Sequence, residues 1–376
     1  MRQGCIILLV ASLALVSCKD GVKSAPQCPA GEIITLEYAE GFGIERCDSF
    51  TKVTVRDPWD TTKTRRTYLL VEKGMEVPAS LPQGTLIRIP VEKAVIYASV
   101  HAAMASRIGS LDRVCGVCEP QYLTCSDVKQ RVESGSIADL GLSTSPDIEK
   151  IVSLGADVII ASPFENSGFG AAEKLGVPIV EAADYMENHP LGRAEWIKFY
   201  GLLLGREAEA DSIFNATRES YNALRTLAQG CLERPTVMLE RKYGATWGVP
   251  GAESYIAVMH RDAGADYIFS DVPGTGSAQK SFEEVFDRAC HADLWLMKHN
   301  RKSGLSYSDL RTEYSPYANF DAFKERRIFA CNTVGTPYYD DIALSPDLIL
   351  KDFISIYHPE LLPGYTAKYY KPLTDK

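Results

Sequence analysis

Little in this chain of 376 residues points to covalent chemistry. It holds no HExxH pair for a hydrolytic zinc and no GxSxG elbow for a nucleophilic serine. The stretch Gly274–Ser281 approaches a phosphate-binding loop, but Gln279 stands where that loop requires glycine, and no βα crossover frames it. Cys115 and Cys118 make one CxxC with Cys125 nearby. No second CxxC and no matching histidine accompany them, so disulfides or free thiols are favoured over a zinc site and no metal ligands are assigned. Positive charge is also scarce: 40 Lys and Arg against 49 Asp and Glu leave a net charge of −9. That balance argues against nucleic acid or an anionic membrane surface as a bulk partner. Beyond residue 17 no run is long and apolar enough to cross a bilayer.

What is present begins with an export signal. Arg2 precedes an apolar run from Ile6 to Val16, too short to span a membrane. Leu15-Val16-Ser17-Cys18 resembles a bacterial lipobox, which implies a signal over residues 1–17, cleavage before Cys18 and lipidation of its thiol. The membrane is then met through that anchor only, facing the periplasm or the cell surface. Residues 18–31 read as a polar tether. Cys5 goes with the signal and Cys18 to lipid, which leaves eight of the ten cysteines. Cys28 and Cys47 lie close enough in the N-terminal strand region to pair.

The length predicts two globular lobes, and the apolar and charged fractions of 45% and 24% suit a folded soluble protein. Short strands between turns fill residues 32–90. Residues 91–190 alternate strands and helices, most clearly in Ser145–Pro163. There Pro146 starts a helix, Asp147 and Glu149 acidify its first turn, Gly155 stops it, and the apolar Val158–Ile160 follows as a buried strand. Residues 191–229 show no strand pattern. Within them 206–228 repeat apolar side chains at three and four residues, from Ala210 through Phe214, Thr217, Tyr221 and Leu224 to Leu227. Such a helix is about 34 Å long, enough to reach from one lobe to another. Residues 230–376 return to the α/β rhythm. Ala292-Asp293 before Leu294–Met297 echoes Ala156-Asp157 before Val158–Ile160. The fold class is therefore α/β: two doubly wound lobes joined by one long helix, with a β-rich extension on the first lobe.

The order of these parts carries a family resemblance. Ile151–Ile160 (IVSLGADVII), Lys174–Val180 (KLGVPIV), Leu204–Ala210 (LGREAEA) and His358–Leu361 (HPEL) stand in sequence between Glu32 and Leu362. The chain resembles substrate-binding proteins of ABC importers, in the class whose lobes are joined by one rigid helix and which serves ferric siderophores, haem and cobalamin. The strands before Val91 are an extension that the smallest members lack. The resemblance implies no enzyme, no resident cofactor and a monomer. It implies capture of a metal chelate, a ferric siderophore first and cobalamin or haem next, for delivery to a permease with its ATPase. The reading from another class is an exported metal-dependent enzyme.

Loops at the carboxyl ends of the strands should then face one cleft. The first lobe offers Ser99, His101, Glu119, Phe164, Glu165 and Tyr185. The second offers Arg241, Tyr243, Trp247, Ser277, Asn332, Tyr338 and Tyr339. Flat aromatics suit a macrocycle or catecholate, and Arg241 suits an anionic group. His101, opening a helix after a buried strand, is a candidate ligand for iron or cobalt. In the family one surface glutamate on each lobe engages permease arginines. Those positions correspond to Glu149 and, at Ser281-Phe282-Glu283-Glu284, to Glu283 before Glu284.

Overall fold

A computed structural model describes residues 31–375. The signal segment, Cys18, Cys28 and the tether up to residue 30 lie outside the described residues. Cys47 is disulfide-bonded, whereas Cys115, Cys118, Cys125, Cys231, Cys290 and Cys331 are free. No described helix is long and apolar enough to cross a membrane.

The extension is one five-stranded sheet: β1 (Glu32–Ile34), β2 (Phe42–Arg46), β3 (Thr51–Arg56), β4 (Thr64–Glu72) and β5 (Thr85–Ile89), in that spatial order. Its first pairs are antiparallel, and β5 runs parallel to β4. The segment between β1 and β2 is held by two buried carboxylates. Glu195 accepts from the amides of Glu37, Tyr38 and Ala39, and Glu187 from those of Glu40 and Gly41.

The first lobe is a parallel sheet of β6 (Ala94–Ile96), β7 (Val114–Val117), β8 (Ala138–Asp139), β9 (Val158–Ala161) and β10 (Ile179–Glu181), ordered β10-β9-β6-β7-β8. Helix α1 (Ser99–Arg107) leaves β6, and α2 (Ile148–Leu154) enters β9. Asp147 is the N-cap of α2, its carboxylate accepting the Lys150 amide at 2.9 Å, and Gly155 ends the helix at φ +63°. Pro146, expected at the helix start, instead pairs with Gly141 in a small hairpin.

Three helices follow without a strand: α3 (Pro190–Glu195), α4 (Ile197–Leu204) and α5 (Glu207–Gln229). The last has the predicted 23-residue length, one residue later. Its buried stripe is divided: Ala210 and Phe214 pack in the first lobe's core, Tyr221 and Ala228 in the second's. Leu227, assigned to the apolar face by spacing, is exposed.

The second lobe repeats the plan with β11 (Thr236–Leu239), β12 (Asp266–Tyr267), β13 (Leu294–His299), β14 (Ile328–Asn332) and β15 (Tyr370–Pro372), ordered β12-β11-β13-β14-β15. Only β15 is antiparallel to its neighbour. The lobe's helices include α6 (Tyr255–Asp262), α7 (Phe282–Ala289), α8 (Tyr338–Leu344) and α9 (Pro346–Tyr357). Ser281 and Glu284 form a capping box at the start of α7. A small antiparallel sheet of Lys242–Tyr243, Thr246–Pro250 and Ser277–Lys280 was not foreseen from the sequence.

Candidate ligand site between the lobes

Both sheets send their carboxyl ends toward the same interlobe region, and the backbone is strained there. Glu119 after β7, Asn166 after β9 and Glu240 after β11 adopt φ of 54°, 55° and 61°. Left-handed non-glycine residues cost about 1 kcal/mol or more each, and they collect where a loop must aim a group. Glu119 accepts the Ser143 hydroxyl at 2.8 Å and steadies the loop beyond β8. Glu240 pairs with Lys298.

The first lobe's floor is a buried charge cluster. Asp184, after β10, lies 3.2 Å from His101 Nε2 and accepts Arg193 Nε of α3 at 3.0 Å. Burial pushes the Asp184 carboxyl up, but the Arg193 guanidinium and His101 beside it outweigh burial and hold it below the ordinary carboxylate range. The Arg193 guanidinium stacks on Tyr255 of the second lobe, 5.0 Å from the ring centroid. His101 is wholly buried, and its Nδ1 has no partner. It is thus a member of a buried polar network, not a cleft-facing ligand for iron or cobalt.

The second lobe's floor is aromatic. Tyr338 is buried, with ring neighbours Tyr339, Tyr369 and Tyr370. Trp247 corrects the sequence reading. It is 0% exposed, donates Nε1 to the Leu239 carbonyl at 3.0 Å and stacks on Trp295 at 5.6 Å. The glycines around it place it on a strand of the small sheet, with its ring inward, so it is core rather than cleft rim. Tyr243, its neighbour in that hairpin, is 91% exposed. Arg241 is engaged by Glu313, which compensates the charge offered to an anionic chelate. Asn332 is spent on its own turn, donating to the Arg301 carbonyl and accepting the Val334 amide. Ser277 is exposed in the strand paired with Pro250.

The lobes touch along α8. Asp340 accepts the Thr124 hydroxyl and is bonded by Ser99, both from the first lobe. Arg107 donates to the Ser345 hydroxyl at 3.3 Å. Ala343 and Leu344 pack within the first lobe's core. This side of the interlobe region is therefore filled by protein. Burial pushes the Asp340 carboxyl up, against the lowering effect of its Thr124 and Ser99 donors.

Free aromatic surface lies elsewhere. Phe164 is 62% exposed beside Tyr185, ring centroids 6.3 Å apart, and the Tyr185 hydroxyl donates to the Pro163 carbonyl. Glu165 is exposed next to them, and Tyr339 is 54% exposed at the exit of β14. A cavity of about 240 Å³ is lined by Arg56, Asp57 and Thr61 of the extension, Ala183, Met186 and Glu187 of the first lobe, and Thr275 of the second. Sequence reasoning missed the extension here, as well as Thr124, Arg193, Tyr255 and Asp340. Arg193 is the one cation in the helix Pro190–Glu195, whose six residues are all buried, and that burial is set by tertiary packing.

Glu149 is exposed in the first turn of α2. At α7 the two acids separate. Glu284 is used by the capping box and pairs with Lys280, whereas Glu283 is exposed in the same first turn.

The chain is similar to known proteins on three levels. An uncharacterized lipoprotein of Methanocaldococcus jannaschii is 28% identical over 324 residues, covering 82% of this chain and 76% of that protein. A second lipoprotein of that organism is 27% identical, covering 81% and 79%. Among solved structures, a possible iron-binding periplasmic solute-binding protein of Staphylococcus epidermidis superposes with a TM-score of 0.56 at 18% identity, over 71% of this chain and 98% of that one. A periplasmic heme-binding protein of Pseudomonas aeruginosa gives 0.57 at 16% identity, over 76% and 99%. Helicobacter pylori CeuE with Ni(II) bound gives 0.58 at 17% identity, over 74% and 88%. Residues 112–334 match the family described as periplasmic binding protein, a span from the first lobe's β7 to the exit of β14 that takes in the whole linking helix. With two doubly wound lobes opposed across that helix, the chain belongs to the periplasmic binding protein family.

Proposed function

We propose that this protein is an exported, lipid-anchored member of its family that takes up a metal chelate between its lobes and delivers it to an ABC permease. A ferric siderophore is the first ligand class, with haem and cobalamin next. The observation that carries the reading is exposed aromatic surface following the carboxyl ends of strands in both lobes. Exposed Phe164 with Tyr185 leaves one sheet, and exposed Tyr339 leaves the other. Large flat side chains there supply contact area at small entropic cost. The lipoprotein names of the relatives support the anchor at Cys18, and the iron, haem and nickel titles of the structural neighbours support a metal-bearing cargo. No covalent step is required: binding energy and a modest lobe movement suffice.

A space of about 240 Å³ is below the usual range for a drug-sized ligand, roughly 300–1,000 Å³. A chelate of haem size therefore enters with some parting of the lobes, against the Thr124–Asp340 and Arg107–Ser345 contacts. Glu149 and Glu283 are the docking charges of this reading. Both stand exposed at helix starts, where the dipole favours an acid, and two separated charges fix register and speed encounter.

The purified chain is titrated with ferric siderophores, haem and cobalamin while visible absorption is followed. One class should bind and be retained without turnover. Phe164→Ala and Tyr339→Ala should each weaken that ligand by about 0.5–1.5 kcal/mol. Glu149→Arg with Glu283→Arg should leave affinity unchanged and stop uptake. Failure of all three ligand classes to bind removes the chelate reading, and normal uptake by the double variant removes the docking assignment.

A further inference from the structure

We propose that Cys231, His358 and Glu360 form a binding site for a divalent transition ion of the zinc class, on the face of the second lobe away from the cleft. The three side chains come from two places in the chain. Cys231 follows Gly230, which ends the linking helix, and His358 ends α9, with Glu360 in the turn Pro359–Leu361. One donor atom from each lies within 4.8 Å of the others. Sulfur, imidazole nitrogen and carboxylate oxygen together are the donor set that zinc and cobalt accept.

The histidine is already set for ligation. His358 is buried, and its Nε2 sits 3.1 Å from the Gly264 carbonyl oxygen. A carbonyl only accepts, so Nε2 carries the proton and the neutral ring keeps its lone pair on Nδ1. Nδ1 is the atom turned toward Glu360, 3.8 Å from Oε1. A backbone carbonyl that fixes the tautomer of a ligand histidine is the usual outer partner at such centres. Gly264 makes this approach possible: its φ is +83°, and an added Cβ would lie 2.5 Å from His358 Nε2.

A cavity of about 710 Å³ adjoins the three donors and leaves room for water at a fourth position. Arg234 and Arg327 also line it, but neither is a free cation. Arg234 pairs with Asp266 at 2.7 Å and donates to the Arg261 and Ala265 carbonyls. Arg327 is held by Asp293 and Glu325. Ligation would release the Cys231 thiol proton and join the exit of the linking helix to the end of α9. The site uses no residue of the cleft, so it stands apart from the cargo reading.

The test titrates the chelator-stripped full chain with Co²⁺ alone. A thiolate-to-cobalt charge-transfer band should appear together with the visible bands of four-coordinate cobalt, and Zn²⁺ should displace both. C231S should abolish the charge-transfer band, C290S should leave it unchanged, and E360Q should weaken Co²⁺ affinity by about 10-fold or more. Zn²⁺ should also raise the Tm of the parent and not that of C231S. Cys231 and Glu360 are chosen because His358 is buried and its loss could unfold the lobe. The absence of a charge-transfer band in the parent overturns the site. So does a band that survives C231S, or an affinity indifferent to E360Q.

Discussion

The two lobes solve the amino ends of their sheets in one way and the carboxyl ends in two. Asp157 opens β9 and accepts the Glu92 and Lys93 amides just before β6. Asp293 opens β13 and accepts the amide and hydroxyl of Thr236, the first residue of β11. In both lobes an aspartate thus ties the start of one central strand to the start of its neighbour. At the opposite ends the first lobe buries Asp184, Arg193 and His101, and the second buries Tyr338 and the Trp247–Trp295 stack. The shared end is structural, because the need to satisfy strand amides is the same in any such sheet. The divergent end lies beneath the interlobe side, where each lobe's loops rest on a differently built, buried floor.

The largest effects should come from breaking the two floors. Trp247→Ala removes a fully buried indole and should cost about 3–5 kcal/mol in denaturant unfolding. Arg193→Met leaves Asp184 buried beside His101 without its guanidinium and should cost a similar amount, about 3–5 kcal/mol. Adding Asp184→Leu should return most of the Arg193 loss, because the stranded charge is then gone. Nothing comparable rescues Trp247→Ala. A loss below about 1 kcal/mol for Arg193→Met would show that the first floor is not held by its charge pair.

A smaller effect tests the shared end. Asp157→Ala and Asp293→Ala should each cost about 1–2 kcal/mol, the scale of unmade hydrogen bonds at partly exposed amides. Ligand affinity should not change in either variant. Unequal costs would mean that the two aspartates are alike in place but not in role.

The smallest effect concerns the contact between the lobes. The Asp340 carboxyl is raised by burial, so it holds its proton better with the lobes joined than apart. The joined form is then favoured at low pH. It loses that advantage as pH rises from the ordinary carboxylate range through the raised value. Interlobe distance read by a fluorophore pair should increase across that window in the parent. Asp340→Asn should flatten this part of the profile, and an identical profile in both proteins would remove Asp340 from the clasp.

Elements with strong local signals are legible in the amino-acid pattern alone. The apolar run Val158–Ile160 stands in β9, Gly155 ends α2, and the linking helix has its predicted 23 residues. Periodicity, caps and glycine stops act over a few residues, and they survive in the sequence as pattern. The site is less legible. Sequence reasoning places Tyr338 at a strand exit, which is true of its backbone, but its ring turns into the core. It reads His101 as open to a ligand, whereas its partners Asp184 and Arg193 enclose it.

By itself, then, the sequence determined the α/β alternation, the length of the linking helix and the echo of Asp157 in Asp293. Each of these depends on neighbours along the chain. Tertiary structure decided which exits remain open. The Thr124–Asp340 bond joins residues 216 positions apart, and the extension reaches Glu181 from Arg65 across 116. Trp247 turns inward because Trp295, Tyr317 and Phe320 from two later segments pack against it. Burial and pairing over such separations depend on how two sheets and one helix pack, and no local pattern encodes that.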